Sequence, residues 1–527
     1  MSRVDIGYDE ASTNQTQEQL EAAPLLSSGK SATNTDDDYV PTLQNYESSK
    51  TDVKKVIKKL FTQKTFIYWF IFKIAFFTQV FAAGLFIPLY AAEWYGGCLG
   101  PKNINVIPDC APNYTEYAYY ATMFYSIAGL ITFLVSSFIG HLSDKYGRKA
   151  FFYVAIITWM IPRCVMIFYV NFYLYFGLSL LQSINGGDFF IASKGYLADI
   201  IPNKEERIIG YGFGQSSVGI GCILGSVLAV SVSTFSNDHT IFVSLAVFYL
   251  VLLVYTHFCI KEPDRYANGG IAAADQSTFI EGAGNPFKYL GSICKHKLIF
   301  YLALLSLFMA IVESGVMSSL FAYIGNEFKL DQQGSSTMTY GIFAVVMSIA
   351  VILTGLILAL FKKKYDELSI MLVAVFIKIS ALLLIAAISF APSLFRNYAV
   401  LYISAFLYGT SFFIWPSITG LLTKYLNDNE QGTGFGVIDA WTAIANICAP
   451  FSFGYFYVKL DHEHMPWVLF LIAIFFCLAS IGVILYPLGE TVMKQRAVMD
   501  LKHGTNTTEY HRIETNDNTN TPTDTNT

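Results

Sequence analysis

The sequence predicts an all-α membrane protein of twelve transmembrane helices arranged as two six-helix pseudo-repeats. Hydrophobic residues make up 54% of the chain and charged residues only 14%, a balance that points to a chain solvated largely by lipid. Twelve apolar stretches recur along it, each near the ~20 residues that a helix needs to cross the hydrocarbon core. Asn203, Glu206, Gly210 and Gly212 also return, in the same order and spacing, as Asn427, Glu430, Gly434 and Gly436. Such an internal echo is what duplication of a six-helix half leaves in a sequence.

The expected spans are 66–91, 118–140, 150–170, 174–200, 209–232, 240–260, 298–322, 338–360, 368–390, 398–423, 434–457 and 467–487. Lipid offers backbone groups no hydrogen-bond partners, so segments this long and apolar must be helices. Lysine and arginine fix the orientation. Lys54, Lys55, Lys58, Lys59, Lys64, Lys145, Arg148, Lys149, Lys204, Arg207, Lys261, Arg265, Lys288, Lys295, Lys297, Lys362, Lys363, Lys364 and Lys424 flank one side. The other side has only Lys102, Lys329, Arg396 and Lys459. The basic side is expected to face the cytosol, together with both termini. The net charge of -5 comes from acidic tails, and nothing in the pattern calls for nucleic acid.

Residues 1–60 are polar and without apolar periodicity, which predicts a disordered cytosolic tail. Within it Glu21 stands four residues before the pair Leu25 and Leu26. That is the acidic dileucine form read by clathrin-adaptor proteins, and it predicts an endosomal or lysosomal address, with the plasma membrane as the alternative. The first helical half is expected over 66–260, and the first non-cytosolic loop, about 92–117, contains Cys98 and Cys110. In an oxidising compartment a structural disulfide between them is favoured over free thiols. The same loop carries the acceptor pattern Asn113-Tyr114-Thr115, so Asn113 is the expected glycosylation site. No cysteine has zinc spacing, and no metal or cofactor site is expected.

Residues 140–149 read G-H-L-S-D-K-Y-G-R-K and join the second and third spans. Turn chemistry accounts for Gly147 alone. It does not account for Gly140, Asp144 and the basic cluster around Arg148. The stretch resembles the G-x-L-x-D-x-x-G-R-K loop of the major facilitator superfamily. The resemblance implies a gate in which Arg148 couples to Asp199, the carboxylate ending the fourth helix, while Asp144 faces the other half. A counterpart occurs at Phe361 to Leu368, although Lys363 stands where Asp144 would be and Asp366 where Gly147 would be. The second half is therefore expected to lack the full motif.

Helix five carries Gly212, Gly221 and Gly225. They resemble the glycine-rich motif of drug/proton antiporters, but Ser226 replaces its proline, and close packing by small residues explains them. Gly187-Asp188 with Leu197-Ala198-Asp199 resembles the proton-coupled folate and haem carrier branch. The helix-five carboxylate of the folate carriers falls at Gln215, which cannot titrate. Residues 261–297 form a polar linker, 298–487 the second six-helix half, and 490–527 a second disordered cytosolic tail.

Seven ionisable residues sit well within the spans, away from their ends: Lys73, Arg163, Asp188, Lys194, Glu313, Lys378 and Asp439. At a helix centre each is unfavourable by about 2.5–3.5 kcal/mol unless paired or facing water. By resemblance, helices 1, 4, 7 and 10 line the cavity, which places Lys73, Asp188, Lys194 and Glu313 there. Asp439 joins them as a substrate or proton-coupling candidate, while Arg163 and Lys378 are expected to snorkel or make structural pairs. Lys73 and Lys194 suit an anionic solute. Tyr408, Phe412, Phe413 and Trp415 on helix ten read as lipid-facing packing or as a stack for a planar ligand. The expectation is a proton-coupled symporter of a small organic solute, with an anion as one candidate class. The alternatives are a uniporter without proton coupling and a transporter-like receptor or scaffold. No catalytic set is visible, so no enzyme is expected.

Overall fold

A computed structural model describes residues 53–98, 113–184, 190–235, 240–263, 297–328, 333–362, 364–390, 392–395, 397–426, 431–463 and 465–494. Every element in these residues is helical. The tail residues Glu21, Leu25 and Leu26, together with Cys110 and Asp188, lie outside the described residues.

The expected disordered tail ends earlier than residue 60, because helix α1 (Val53–Leu60) has apolar residues at positions one, four, five and eight and buries Val56 and Leu60 against the core. Its four lysines fill the other face, as the helical period requires. The spans then follow as α2 (Lys64–Tyr95), α3 (Tyr114–Tyr146), α4 (Lys149–Phe168), α5 (Phe172–Ile184), α6 (Phe190–Ile200), α7 (Lys204–Phe235) and α8 (Thr240–Cys259). After residue 296 come α9 (Lys297–Glu327), α10 (Gln333–Lys362), α11 (Glu367–Phe390), the short α12 (Pro392–Phe395) and α13 (Tyr398–Thr410). A single 3-10 turn, Ser411–Phe413, leads to α14 (Ile414–Tyr425), and α15 (Gln431–His462), α16 (Val468–Val483) and a π-helical turn, Ile484–Leu488, close the order.

Among the described residues, ten helices are long and apolar enough to cross a membrane, or eleven when the bent α3 is taken as one span. The expected fourth span is the exception. It is described as α5 and α6, on either side of residues 185–189, where Gly186 and Gly187 fall. The other expected spans each fall on a helix, and helix ten is continued through its 3-10 turn.

Two seams join the helices before residue 263 to those after residue 296. In one, α3 runs against α15, and a Cβ added to Gly140 would stand 2.2 Å from the Gly432 carbonyl oxygen. In the other, α7 lies on α10, where a Cβ on Gly219 would meet the Ser348 carbonyl at 2.7 Å and the Gly355 N–H donates to Ser216 Oγ at 3.1 Å. Gly221 and Gly225 face the backbone of α2 instead. Small residues thus bring the backbones together where no hydrophobic drive between helices exists.

Candidate functional site

The loop from Gly140 to Lys149 is built from the end of α3 and the start of α4. Gly147 ends α3 at φ +92°, a conformation open to glycine. Glu262, just past α8, accepts hydrogen bonds from the Arg148 and Lys149 N–H groups at 2.5 and 3.0 Å. That carboxylate satisfies two donors at the α4 N-terminus that the helix itself leaves open.

The fully buried Arg148 guanidinium then turns inward. Its Nη2 lies 2.6 Å from Asp144 Oδ1 and its Nε 2.9 Å from Asp199 Oδ2, and Nη1 donates to Ser143 Oγ. The coupling to Asp199 implied by the resemblance is present. Asp144 also reaches the other half, because its Oδ1 accepts from the Gly432 N–H at 2.9 Å. Gly432 lies in the first turn of α15, so a carboxylate of one half sits on the positive helix end of the other.

The second half has its own cluster at this end. Lys362 and Lys424 both bind Glu367, whose side chain is 1% exposed. In the register that sets Lys363 against Asp144, Glu367 takes the place of Arg148. Lys424 stands one residue beyond Thr423, the counterpart of Asp199. The charges are inverted: a cation between two carboxylates in one half, a carboxylate between two cations in the other. Glu205 of α7 enters this second cluster, 3.1 Å from Lys362 and 2.5 Å from Lys424. Beside it Lys204 donates to the Lys424 and Leu426 carbonyls at the end of α14, at 3.3 and 2.9 Å. The expected loss of the motif in the second half is thus a loss of its residue types, with an ion-paired device still in place.

Deeper in the bundle, Lys194 of α6 reaches Asp439 of α15 at 2.9 Å. Lys194 is held by neighbours from both halves: its ammonium lies 6.0 Å from the Phe435 ring, and its carbonyl accepts from the Tyr211 hydroxyl at 3.0 Å. Asp439 Oδ2 is buried with no hydrogen-bond partner among the described residues. Lys73 on α2 lies 5.3 Å from the Trp69 ring and within electrostatic reach of Lys194.

Glu313 of α9 is held from two sides. Lys378 of α11 donates to Oε1, and Trp415 Nε1 lies 2.9 Å from both carboxylate oxygens. Lys378 has no exposed side chain and lies 4.9 Å from the Tyr408 ring and 5.0 Å from the Phe412 ring. Helix ten therefore points its aromatics inward, with Tyr408 and Phe413 buried; the lipid-facing reading of this stripe is corrected, because the rings and the indole N–H serve a buried ion pair. Lys378 does not snorkel, and neither does Arg163. Arg163 is 2% exposed, donates to the Trp159 carbonyl at 2.7 Å and lies among the rings of Trp159, Tyr175 and Tyr249 at 4.9–5.9 Å.

Sequence reasoning passed over Glu262, Glu205, Glu367 and Gln79. Gln79, on α2 beyond Lys73, is fully buried with neither amide atom partnered among the described residues. A polar residue inside an apolar span was the available signal. Cys98 is fully buried and disulfide-bonded. Asn113 caps α3, accepting from the Glu116 N–H and donating to its carboxylate, both at 3.0 Å. Among the described residues no His, Cys, Asp and Glu side chains are grouped to hold a metal ion.

Comparison with known proteins gives this arrangement a context. The model of the Major Facilitator Superfamily matches residues 112–450. An uncharacterized MFS-type transporter of Bacillus subtilis, YqjV, is 25% identical over 270 residues, covering 50% of this chain and 61% of its own length. The hippocampus abundant transcript 1 protein of mouse is 20% identical over 394 residues, covering 74% of this chain and 75% of its own length. Among solved structures, the human organic anion transporter MFSD10 (TETRAN) superposes with a TM-score of 0.57 at 15% identity, covering 81% of this chain and 99% of that one. At that identity the likeness concerns the fold alone. None of these relatives supports the folate and haem carrier resemblance.

Proposed function

The chain belongs to the Major Facilitator Superfamily, and from that premise we propose a proton-coupled carrier of a small organic anion working by alternating access. It is a secondary transporter and not an enzyme. In this reading two six-helix units, 66–260 and 298–487, rock against each other through the 261–297 linker around a site near the membrane midplane.

The observation that carries the reading is the pair Lys194 and Asp439, 2.9 Å apart across the two units. A ligand shifts an equilibrium only by its different affinity for the two states. The pair exists only while α6 and α15 are together. A proton on Asp439 removes its charge, and an anion beside Lys194 competes for the same ammonium. Either event weakens the link between the units, so proton and solute act on one conformational step. Lys73 adds a second ammonium within reach of an anion, and Asp188, beside the same site in sequence, is the further carboxylate candidate. MFSD10, which shares the fold, is an organic anion transporter, and that solute class agrees with the two lysines here.

The test uses proteoliposomes with an internal pH dye, challenged with planar and aliphatic organic anions, beside Asp439→Asn and Lys194→Gln. Solute-dependent proton movement in the native protein, lost in Asp439→Asn, is the expected result. Solute flux with no proton movement would favour a uniporter, a second reading that has its own observation. Glu313 already has both oxygens engaged by Trp415 and one by Lys378, as a fixed structural ion would. Neither flux nor proton movement across the panel would point to a receptor or scaffold.

The Gly140–Lys149 loop and both termini face the cytosol in this proposal. The opposite loop carries the Cys98–Cys110 disulfide and a glycan on Asn113, and the dileucine at Leu25 and Leu26 directs the protein to endosomes or lysosomes through clathrin adaptors. Glycosidase treatment that leaves the protein's mobility unchanged would remove the orientation, and a Leu25→Ala/Leu26→Ala variant with native distribution would remove the address.

A further inference from the structure

Lys362 and Lys424 both ion-pair with the carboxylate of Glu205. Each lysine side chain is about 15% exposed, and Glu367, the carboxylate of their own half, carries one charge against their two. The second negative charge comes from Glu205, on the other side of the α7–α14 boundary. Its carboxylate sits between the two ammonium groups as a bound carboxylate ligand would. Lys204, the preceding residue, holds α7 in place by binding the α14 C-terminal carbonyls. At the Arg148 cluster, by contrast, the second-half group described on Asp144 is the Gly432 N–H, a dipole with no net charge.

The consequence follows from separation of the halves. When they part at this end, Glu205 leaves with α7, while Lys362, Lys424 and Glu367 stay together. One positive charge then remains in a partly buried setting, where an unpaired ion is strongly unfavourable. We propose that this vacated pair is a regulatory anion site. It takes a carboxylate or phosphate oxyanion in place of Glu205 and stabilises the state open at the loop end. The idea rests on alternating access but not on any transported solute or on proton coupling. An anion at this site would raise the open population by its preference for that state.

The experiment uses the full chain in nanodiscs of neutral lipid and follows the thermal midpoint as succinate or inorganic phosphate is added at constant ionic strength, with chloride as control. In the native protein Glu205 competes, and only a small shift is expected. In Glu205→Gln, whose side chain stays polar at a position that is 32% exposed, the lysine pair is vacated. A saturable rise of several degrees is expected, and it should vanish in Glu205→Gln/Lys424→Gln. Glu205→Ser gives the same reading should Glu205→Gln be poorly recovered. Nanodiscs with phosphatidylserine distinguish the source of the oxyanion. If the Glu205 variant is stabilised there without added anion, and phosphate then adds nothing, the occupant is a lipid headgroup. If only the soluble anions act, the occupant is a solute. A Glu205 variant no more responsive than the native protein in either lipid, or a response that survives Lys424→Gln, overturns the proposal. Failure of proton-coupled transport leaves this readout untouched.

Discussion

Lys378, with no exposed side-chain surface, donates to Glu313 across the α9–α11 boundary while two rings of helix ten lie about 5 Å from its ammonium. The two charges are mutually dependent. Removing one leaves the other buried against rings and aliphatic side chains, whereas removing both leaves a nearly apolar site. Breaking such a pair costs about 3–5 kcal/mol, and replacing both members is often close to neutral. Lys378→Met is therefore expected to lower the thermal midpoint sharply, and Glu313→Gln/Lys378→Met to recover most of the loss. The Trp415 indole would still have the Gln carbonyl to donate to. A double variant as unstable as the single would show that the two residues do not act as a unit. If it folds and moves solute without protons, Glu313 belongs to the coupling machinery.

The pair Lys194–Asp439 gives a different pattern, because it joins the two units instead of lying within one. Asp439→Asn is expected to lower solute flux at least tenfold and to flatten its dependence on an imposed pH gradient. The exchange Lys194→Asp/Asp439→Lys restores opposite charges at the same place and should restore folded yield. It should not restore flux of an anion, since the ammonium then sits on the other unit. Native flux with an unchanged pH profile in Asp439→Asn would remove this pair from the mechanism.

The sequence made the helices legible because lipid leaves few choices: long apolar runs must be helices, and charge flanks set their direction. The gate was legible for another reason. Gly140, Asp144, Gly147 and Arg148 are local in sequence, so their pattern could be read as one motif. The second cluster was missed because its members, Glu205, Lys362, Glu367 and Lys424, are scattered along the chain and inverted in charge. No comparison of residue types reveals that Glu367 stands where Arg148 does. Pairing within the membrane was likewise hidden. Lys194 plainly needed a partner, but only packing of α6 on α15 selects Asp439, and only the inward turn of helix ten brings Trp415 and Tyr408 to the Glu313–Lys378 pair.

At the α3–α4 corner, Gly147→Ala meets two obstacles. Its φ of +92° is unfavourable for a side chain by about 1–3 kcal/mol. The added Cβ would also stand 2.5 Å from Glu262 Oε1, the atom that accepts the Arg148 N–H. Glu262→Ala removes only the cap, worth about 0.5–2 kcal/mol. Both are expected to lower the unfolding midpoint, Gly147→Ala more. Because the first substitution already displaces the second residue, the double variant should fall short of the sum. Additive losses in a melting series would mean that the cap and the turn are independent.

Gly140 tests whether the loop end must close for transport. A Cβ there would lie 2.2 Å from the Gly432 carbonyl oxygen, a backbone atom that no rotamer change can move. Gly140→Val therefore forces α3 and α15 apart at the level where Asp144 accepts the Gly432 N–H. The state closed at this end loses stability while the open state, in which the helices are already separated, is spared. The population should shift toward open. Gln431, fully buried beside Gly432, reports the change. A thiol introduced by Gln431→Cys should react with a bulky polar maleimide several-fold faster in the Gly140→Val background, read against the same backgrounds without the added thiol. Flux should fall about tenfold, since a carrier held open at one end cannot complete its cycle. Gly140→Ala should give the same signs with smaller amplitude. Unchanged labelling together with reduced flux would place the effect of Gly140 elsewhere than in closure of the α3–α15 seam.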